Sequence, residues 1–399
     1  MKMEENLAIS VFRPHLKVLR TSGLFQLDPR TTPRSTFLLH QAFMRFSLLV
    51  PLVYASQEVV YMYQVRSDTD KVIDSMYLFL SFVASVYKQV ILWLYADEVE
   101  GLMDIVKGPL FNRDDERQKM ILRDLARRAK FIHNWAFGLT QVTCVLWTLK
   151  SMVMHLSGSE LDFAIWLPFD HNHRTYFYFV LFYYWLVTSW LGCNDCNADL
   201  FASALLAQCM YQLSYLRIDL ETLVETSKEK ALKEGRVFHD VFQEKFKMLL
   251  LHYNEIIRLA KGMEYIFGGS IFCLFLVTGW IFCTSTYRCV NINPMSIDFA
   301  SMVSYMICVL IEIALYCYFG NGLSYESEQL LYSAYNMDWL QLDTRHRRSL
   351  LIFMERVKRP VHTMAGTIIP LSAGTFLSIL RSSYTFYAVL KTTSVSEHI

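Results

Sequence analysis

The chain reads as an all-α membrane protein with seven transmembrane helices and inverted topology, its N-terminus cytosolic and its C-terminus extracellular. Three observations carry that expectation. Hydrophobic residues make up 53% of the 399 positions and charged ones only 19%, fewer charges than a water-facing surface needs. Several stretches run for about 20 residues with few charges, the length that crosses a bilayer core as a helix. The 38 Lys and Arg gather in the N-terminal segment and in every second connection between those stretches, which marks the cytosolic side.

Taken in order, residues 1–36 carry Lys2, Arg13, Lys17, Arg20, Arg30 and Arg34 without an apolar signal core, so they read as a cytosolic segment and not as a cleaved leader. The first spanning helix is expected over residues 37–63 and the second over 72–94, joined by a polar link with Arg66 and Lys71. A basic connection from Lys107 to Lys130 precedes a third helix over 131–155. An outer loop then holds Trp166-Leu167-Pro168-Phe169-Asp170. Residues 176–216 and 241–287 are helix-compatible throughout, and at 1.5 Å per residue each reaches about 60 Å, roughly twice the hydrocarbon thickness. Both must protrude, and their facing ends carry Arg217, Asp219, Glu221, Glu244, Lys245, Lys247, Glu255 and Arg258, which suit water and not lipid. A sixth helix begins near Ile297 and continues towards Trp339. The seventh is broken, with a cytosolic half over 346–364 and a membrane half over 371–391 after Pro370. The expected regions are therefore 1–36, a cytosolic segment; 37–216, the first four helices; 217–364, the long fifth and sixth helices with the cytosolic half of the seventh; and 365–399, the last helix and an outer terminus.

The chemistry of enzymes is not legible here. A net charge of +1 gives no footprint for nucleic acid. Neither a phosphate-cradling glycine loop nor a nucleophile elbow occurs, and His252 with Glu255 lacks a zinc-protease pattern. His171 and His173 flank Asn172 in the outer loop and read as solvated. Cys193 and Cys196 have redox spacing but sit in an apolar helix without a second ligand pair, so they read as packing. Cys283 and Cys289 leave one bridge near the outer surface open. A transporter would need a charged pair within the membrane, and among Asp195, Asp199, Glu312 and Arg381 only the two Asp lie close in sequence. No cofactor or metal is expected.

The C-terminal third carries an ordered set of short elements: Tyr316-Cys317-Tyr318-Phe319-Gly320-Asn321, Glu326-Ser327, Ala334-Tyr335 with Trp339, Met354-Glu355-Arg356 with Arg359-Pro360, Ala365-Gly366 and Ser383-Tyr384. This order resembles the C-terminal signature of insect odorant receptors. The terminal Thr-Tyr and Gln-Phe signature of gustatory receptors is absent, with Ser383-Tyr384 at its start and no Gln after Leu371. The resemblance implies a ligand-tuning subunit in the plasma membrane of the olfactory neuron dendrite. Such a subunit assembles with the shared odorant receptor co-receptor into a heterotetrameric, ligand-gated, non-selective cation channel. The connection from Arg217 to Val241 is much shorter than the co-receptor's.

Side-chain spacing offers candidate faces for a pocket. Ile73, Met76, Tyr77 and Leu80 share one face of the second helix, and Thr140, Thr143, Cys144 and Trp147 one face of the third. The fourth helix contributes Phe179, Tyr183, Tyr184 and Val187, and the sixth Met302, Tyr305 and Val309. The resemblance places the pocket for a small volatile odorant among these helices, and their Tyr and Thr hydroxyls suggest a ligand that accepts a hydrogen bond. The resemblance also assigns the ion pore to the membrane half of the seventh helix, where Ser383, Tyr387 and Lys391 share a stripe beside Tyr384 and Thr385. Tyr318, Tyr325, Tyr332, Tyr335 and Trp339 recur at near-helical spacing, more aromatics than a solvated helix needs, and form the expected subunit interface.

Overall fold

A computed structural model describes residues 6–28, 32–157, 163–168 and 174–396; within these, the side chains at 69, 70, 73, 74, 77, 174, 175, 287, 290, 291 and 386–396 are not described. The described residues form α1 (Leu7–Ser10), α2 (Arg13–Thr21), α3 (Arg34–Gln64), α4 (Thr69–Leu94), α5 (Ala96–Lys107), α6 (Glu116–Leu156), α7 (Arg174–Glu221), α8 (Leu223–Glu234), α9 (Phe238–Asn291), α10 (Ile297–Asn336), α11 (Thr344–Val357) and α12 (Ala373–Ser396). The only strands among them are β1 (Met364–Ala365) and β2 (Ile369–Pro370), an antiparallel hairpin.

Seven helices, α3, α4, α6, α7, α9, α10 and α12, are long enough to cross a bilayer. In length and composition together, α3, α7, α9 and α10 qualify outright. The span within α4 continues into α5 through a bend of 71° at Tyr95. The burial pattern is inverted relative to a soluble protein. On α3 the buried positions Met44, Ser47, Pro51, Tyr54 and Glu58 follow a three-to-four spacing, whereas Leu39, Phe46, Leu49, Val53 and Tyr63 are exposed. The N-terminal end of α7 likewise exposes Tyr176, Tyr178, Phe179, Phe182 and Leu186. Contiguous apolar area of this kind is rare on soluble monomers and fits a lipid boundary.

Helix α7 is the hub, packed against α10, α6 and α9. Its inward residues Leu205, Leu206, Cys209, Leu213, Leu216 and Leu220 are fully buried. The N-terminal segment joins this core. Pro14 lies in the first turn of α2, where its missing N–H costs nothing, and Phe12 and Leu19 are fully buried. His15 Nδ1 meets Asn197 Oδ1 at 3.2 Å, while Asn197 Nδ2 donates to the carbonyl of His15 at 3.1 Å, which pins α2 to α7.

Helix caps follow local chemistry. Asp68, Asp115, Ser296 and Asp343 accept backbone N–H bonds at the starts of α4, α6, α10 and α11. Gly235 closes α8 in the left-handed region at φ 63°. The third membrane helix is far longer than its apolar stretch suggests, because α6 begins at Glu116. Gln118, Leu122 and Leu125 recur at helical spacing and are buried, so the basic residues between them occupy the other faces.

Two motif glycines sit where backbones meet. A Cβ on Gly320 would lie 2.4 Å from Leu371 Cβ and 2.8 Å from its carbonyl oxygen, so α10 passes the lead-in to α12 at backbone distance. Gly366 turns the hairpin at φ +58°, and a Cβ there would meet Phe272 Cβ at 2.9 Å. Other motif residues lock the same region: Arg217 Nε donates to Glu326 Oε2 at 3.0 Å, and the backbone N–H of Val361 donates to Ser327 Oγ at 2.9 Å.

Candidate functional site

Helices α4, α6, α7, α9 and α10 line a cavity of about 80 Å³. Its apolar wall includes Leu78 and Phe82 from α4, Trp147 from α6, Leu191 from α7, Ile281 from α9 and Val309 from α10. A neighbouring cavity of about 130 Å³ shares Leu78, Trp147 and Tyr305 and adds Tyr184, Met302 and Phe163. The charged rim of this second space carries Lys71, Lys150, Arg288 and Asp298, with Lys150 Nζ 2.6 Å from Asp298 Oδ1. The rings of Trp147 and Tyr305 stand 5.3 Å apart between the two spaces.

Most hydroxyls in the wall are already engaged. Tyr305 OH and Ser81 Oγ are 2.6 Å apart. Thr143 Oγ1 donates to the carbonyl of Leu139 and lies 2.7 Å from Ser304 Oγ. Thr140 and Thr188 donate to carbonyls of their own helices.

One end of the first cavity is ionic. Lys88 Nζ donates to Asp195 Oδ1 at 2.8 Å and to Asp199 Oδ2 at 2.6 Å, and Tyr316 OH donates to Asp199 Oδ1 at 3.0 Å. Glu312 completes the group, its carboxylate within 4.8 Å of those of both Asp. Asp195 and Glu312 border the cavity directly. This cluster joins α4, α7 and α10 at one point. In low dielectric an ion pair with these hydrogen bonds is far more costly to break than a surface pair.

The family profile described as 7tm Odorant receptor matches residues 68–384. The chain belongs to the odorant receptor family. Odorant receptor 94a of Drosophila melanogaster is 23% identical over 393 residues, covering 96% of this chain and 97% of that one. Odorant receptor 19a of the same fly is 27% identical over 282 residues, covering 69% of each. Among solved structures, the olfactory receptor OR5 of Machilis hrabei in complex with eugenol superposes with a TM-score of 0.82 at 16% identity, over 96% of this chain and 97% of that one. Membership makes the protein a multi-pass membrane receptor and not an enzyme.

Within this odorant receptor the expected pocket residues separate. Thr140, Thr143, Cys144, Trp147 and Tyr305 line the first cavity, and Tyr184 and Met302 line the second. Met76 and Leu80 border neither. Among the described side chains, the cavity face of α4 is Leu78, Ser81, Phe82, Ser85 and Lys88. The side chains of Ile73 and Tyr77 lie outside the described residues. Tyr183 turns to α3, where its hydroxyl donates to Gln57 Oε1 at 2.9 Å. Val187 is buried one turn before Leu191, and Phe179 is 73% exposed on the lipid face.

At the last helix, Ser383 is buried and borders a groove between α9 and α12, and its hydroxyl donates to the carbonyl of Ile379. The outward stripe of α12 is Leu377, Arg381 and Tyr384. Tyr387 and Lys391 belong to that helix, but their side chains lie outside the described residues. Tyr335 is exposed, whereas Trp339 is half-buried in a short 3-10 turn after α10. Cys283 and Cys289 are both free thiols. Cys193 accepts a hydrogen bond from Gln141 Nε2, and Cys196 packs beside Ala136 and Leu200. His171 and His173 lie outside the described residues.

Lys88 escaped the sequence reading. A single lysine inside the apolar stretch 72–94, with two Asp four residues apart on another span and a Glu on a third, was the available signal, since lone intramembrane charges pair with one another.

Proposed function

We propose that this receptor is a ligand-tuning subunit that binds a small volatile in the paired cavities beside Trp147 and Tyr305 and opens a non-selective cation channel formed with the odorant receptor co-receptor. The observation that carries the reading is a space at the junction of five helices, walled by Phe82, Trp147 and Tyr305, with charged groups at its two ends. The solved OR5 structure of similar fold contains eugenol, which supports a small organic ligand. The four exposed tyrosines of α10, Tyr318, Tyr325, Tyr332 and Tyr335, support a subunit contact, and the distribution of Lys and Arg supports a cytosolic N-terminus. The outward stripe of α12 is the face available to a pore.

The chemistry of the cavity supports a ligand of the other hydrogen-bonding kind from the one its Tyr and Thr suggest. Most of its hydroxyls are spent on each other and on helix carbonyls, and two protons of the Lys88 ammonium are committed to Asp195 and Asp199. The carboxyl groups of Asp195 and Glu312 are among the polar groups bordering the space. The favoured odorant therefore donates a hydrogen bond through an O–H or N–H. Binding favours the open state only by the difference in its affinity for the two states.

The test is whole-cell current from cells expressing the receptor with and without the co-receptor, challenged with an alcohol and with its methyl ether of equal chain. Current should appear only on co-expression, and the alcohol should act at lower concentration. Current from this chain alone would contradict the assembly, and equal potency of the pair would contradict the donor rule.

A further inference from the structure

A separate groove, of about 390 Å³, lies between α2, α6, α7 and α10, away from the odorant cavities. Its floor is apolar: Leu125, Leu200, Ala204, Ala207 and Phe319 line it and are buried. Phe131 and Tyr318 form its lip, 70% and 64% exposed. His15 also borders it, with Nδ1 already engaged by Asn197. The charged groups of the wall are Arg127 and Arg128, and among the described residues no carboxylate lines it.

The position of the groove along α6 gives it two chemistries. Over residues 123–130 four cations, Arg123, Arg127, Arg128 and Lys130, face a single anion, Asp124. Asp124 Oδ2 accepts from Arg128 Nε at 2.8 Å, and Arg127 is exposed with no ion-pair partner among the described residues. From Phe131 onward the helix turns apolar, and Phe131 and Trp135 are exposed, as aromatic rings are at a membrane-water boundary. Arg128 and Ile132 are one turn apart, about 6 Å along the axis. The groove therefore straddles that boundary, with guanidinium groups on the water side and an apolar floor reaching Ile132 and Leu200 on the lipid side.

We propose that the groove holds one anionic phospholipid, with an acyl chain along Ile132, Leu200 and Ala204 and its phosphate on Arg127 and Arg128. Basic pockets between membrane helices on the cytosolic side recognise head groups of this charge, and the charge pattern assigns α6 before Phe131 to that side. An apolar helix of a partner would fill the floor but leave Arg127 covered and without a counter-charge, which is costly. A lipid with a negative head group satisfies both parts. Because Val11 and His15 wall the same groove, the bound chain ties the N-terminal segment to α6, α7 and α10. The inference is independent of the odorant reading.

The test uses full-length receptor purified in detergent, stripped of lipid and titrated with phosphatidylserine or with phosphatidylcholine of the same chains, the bound lipid being counted by native mass spectrometry. Phosphatidylserine should bind more tightly than phosphatidylcholine. The double variant Arg127→Gln with Arg128→Gln should lose about tenfold or more of its apparent affinity for phosphatidylserine, as expected for two near-surface cations, and keep that for phosphatidylcholine. Its fold is not at risk, because the Arg128 pair with Asp124 is an exposed one. Arg345→Gln with Arg348→Gln, an equal change of charge at exposed positions of α11, should bind as wild type does. Glycerophosphoserine, the head group without chains, should not displace the lipid. Equal binding of the two lipids, an unchanged affinity in the α6 variant, an equal loss in the α11 variant or displacement by the bare head group would each overturn the site.

Discussion

Lys88 is the residue on which the membrane core depends most. Its ammonium answers Asp195 and Asp199, and Tyr316 from α10 supports the second of these. Lys88→Met would leave two buried carboxylates without a counter-charge, a loss of about 3–5 kcal/mol for a broken buried pair. The expected outcome is a fall in folded, surface-delivered receptor, with partial recovery when Asp199→Asn is added; the readout is fluorescence-detected size exclusion of the two variants. No recovery would show that the lysine acts otherwise than through this pair. Titration gives a second prediction, at two buried histidines in segments that the charge pattern assigns to the cytosolic side. Burial, aided by His133, pushes His15 down to about 3, and burial, aided by Arg113, pushes His252 down to about 3. Both folded values lie below the unfolded value of about 6.5. Stability is therefore full above pH 6.5 and falls as pH drops from there towards 3, by up to about 1.4 kcal/mol per pH unit for each ring. His252, packed by Phe111 and Tyr215 with neither ring nitrogen partnered, is the cleaner case. His252→Leu should leave the thermal midpoint at pH 7.5 unchanged or higher and flatten its decline between pH 6.5 and 5.

At the scale of elements, the glycine motifs acquire a mechanical meaning. Gly320→Ala would press a methyl group into Leu371 at a spacing no side chain tolerates, so α10 and the lead-in to α12 must part. A cost of about 1–3 kcal/mol is expected, read as a lower thermal midpoint, with Gly101→Ala, where a Cβ would meet nothing within 4 Å, as the neutral control. The same elements separate what could be read in advance from what could not. The start of the sixth helix at Ile297 and the break at Pro370 were legible, because caps and prolines act locally. The length of α6 and the buried role of α2 were not. Their burial rests on a few apolar positions, Leu122 and Leu125 or Phe12 and Leu19, set among basic residues that dominate a composition window. The place of Leu78, Phe82 and Lys88 on the cavity face of α4 was not legible for a related reason. In a helix apolar all round, spacing groups residues into faces but does not say which face meets protein, and only the partner charge for Lys88 on α7 fixes the rotation.

For the whole molecule, the inverted burial pattern, the bundle centred on α7 and the outward aromatic edge of α10 describe a receptor in lipid whose proposed ligand space and ionic cluster share one set of helices. The C-terminal signature carried the family because its residues serve joints that cannot vary independently: Gly320 on Leu371, Ser327 on Val361, Gly366 on Phe272. The ligand space has no comparable signature, since any apolar residue of suitable size can line it. The central claim is that the odorant is held beside Trp147. Its most direct test is the concentration dependence of odorant-evoked current in cells co-expressing the co-receptor, for Trp147→Ala against Phe179→Ala, the latter on the lipid face. Losing the ring should cost about 1.4 kcal/mol or more, a shift of about tenfold or more to higher concentration, while Phe179→Ala should overlie wild type. A displaced curve for Phe179→Ala with an unmoved one for Trp147→Ala would contradict the account.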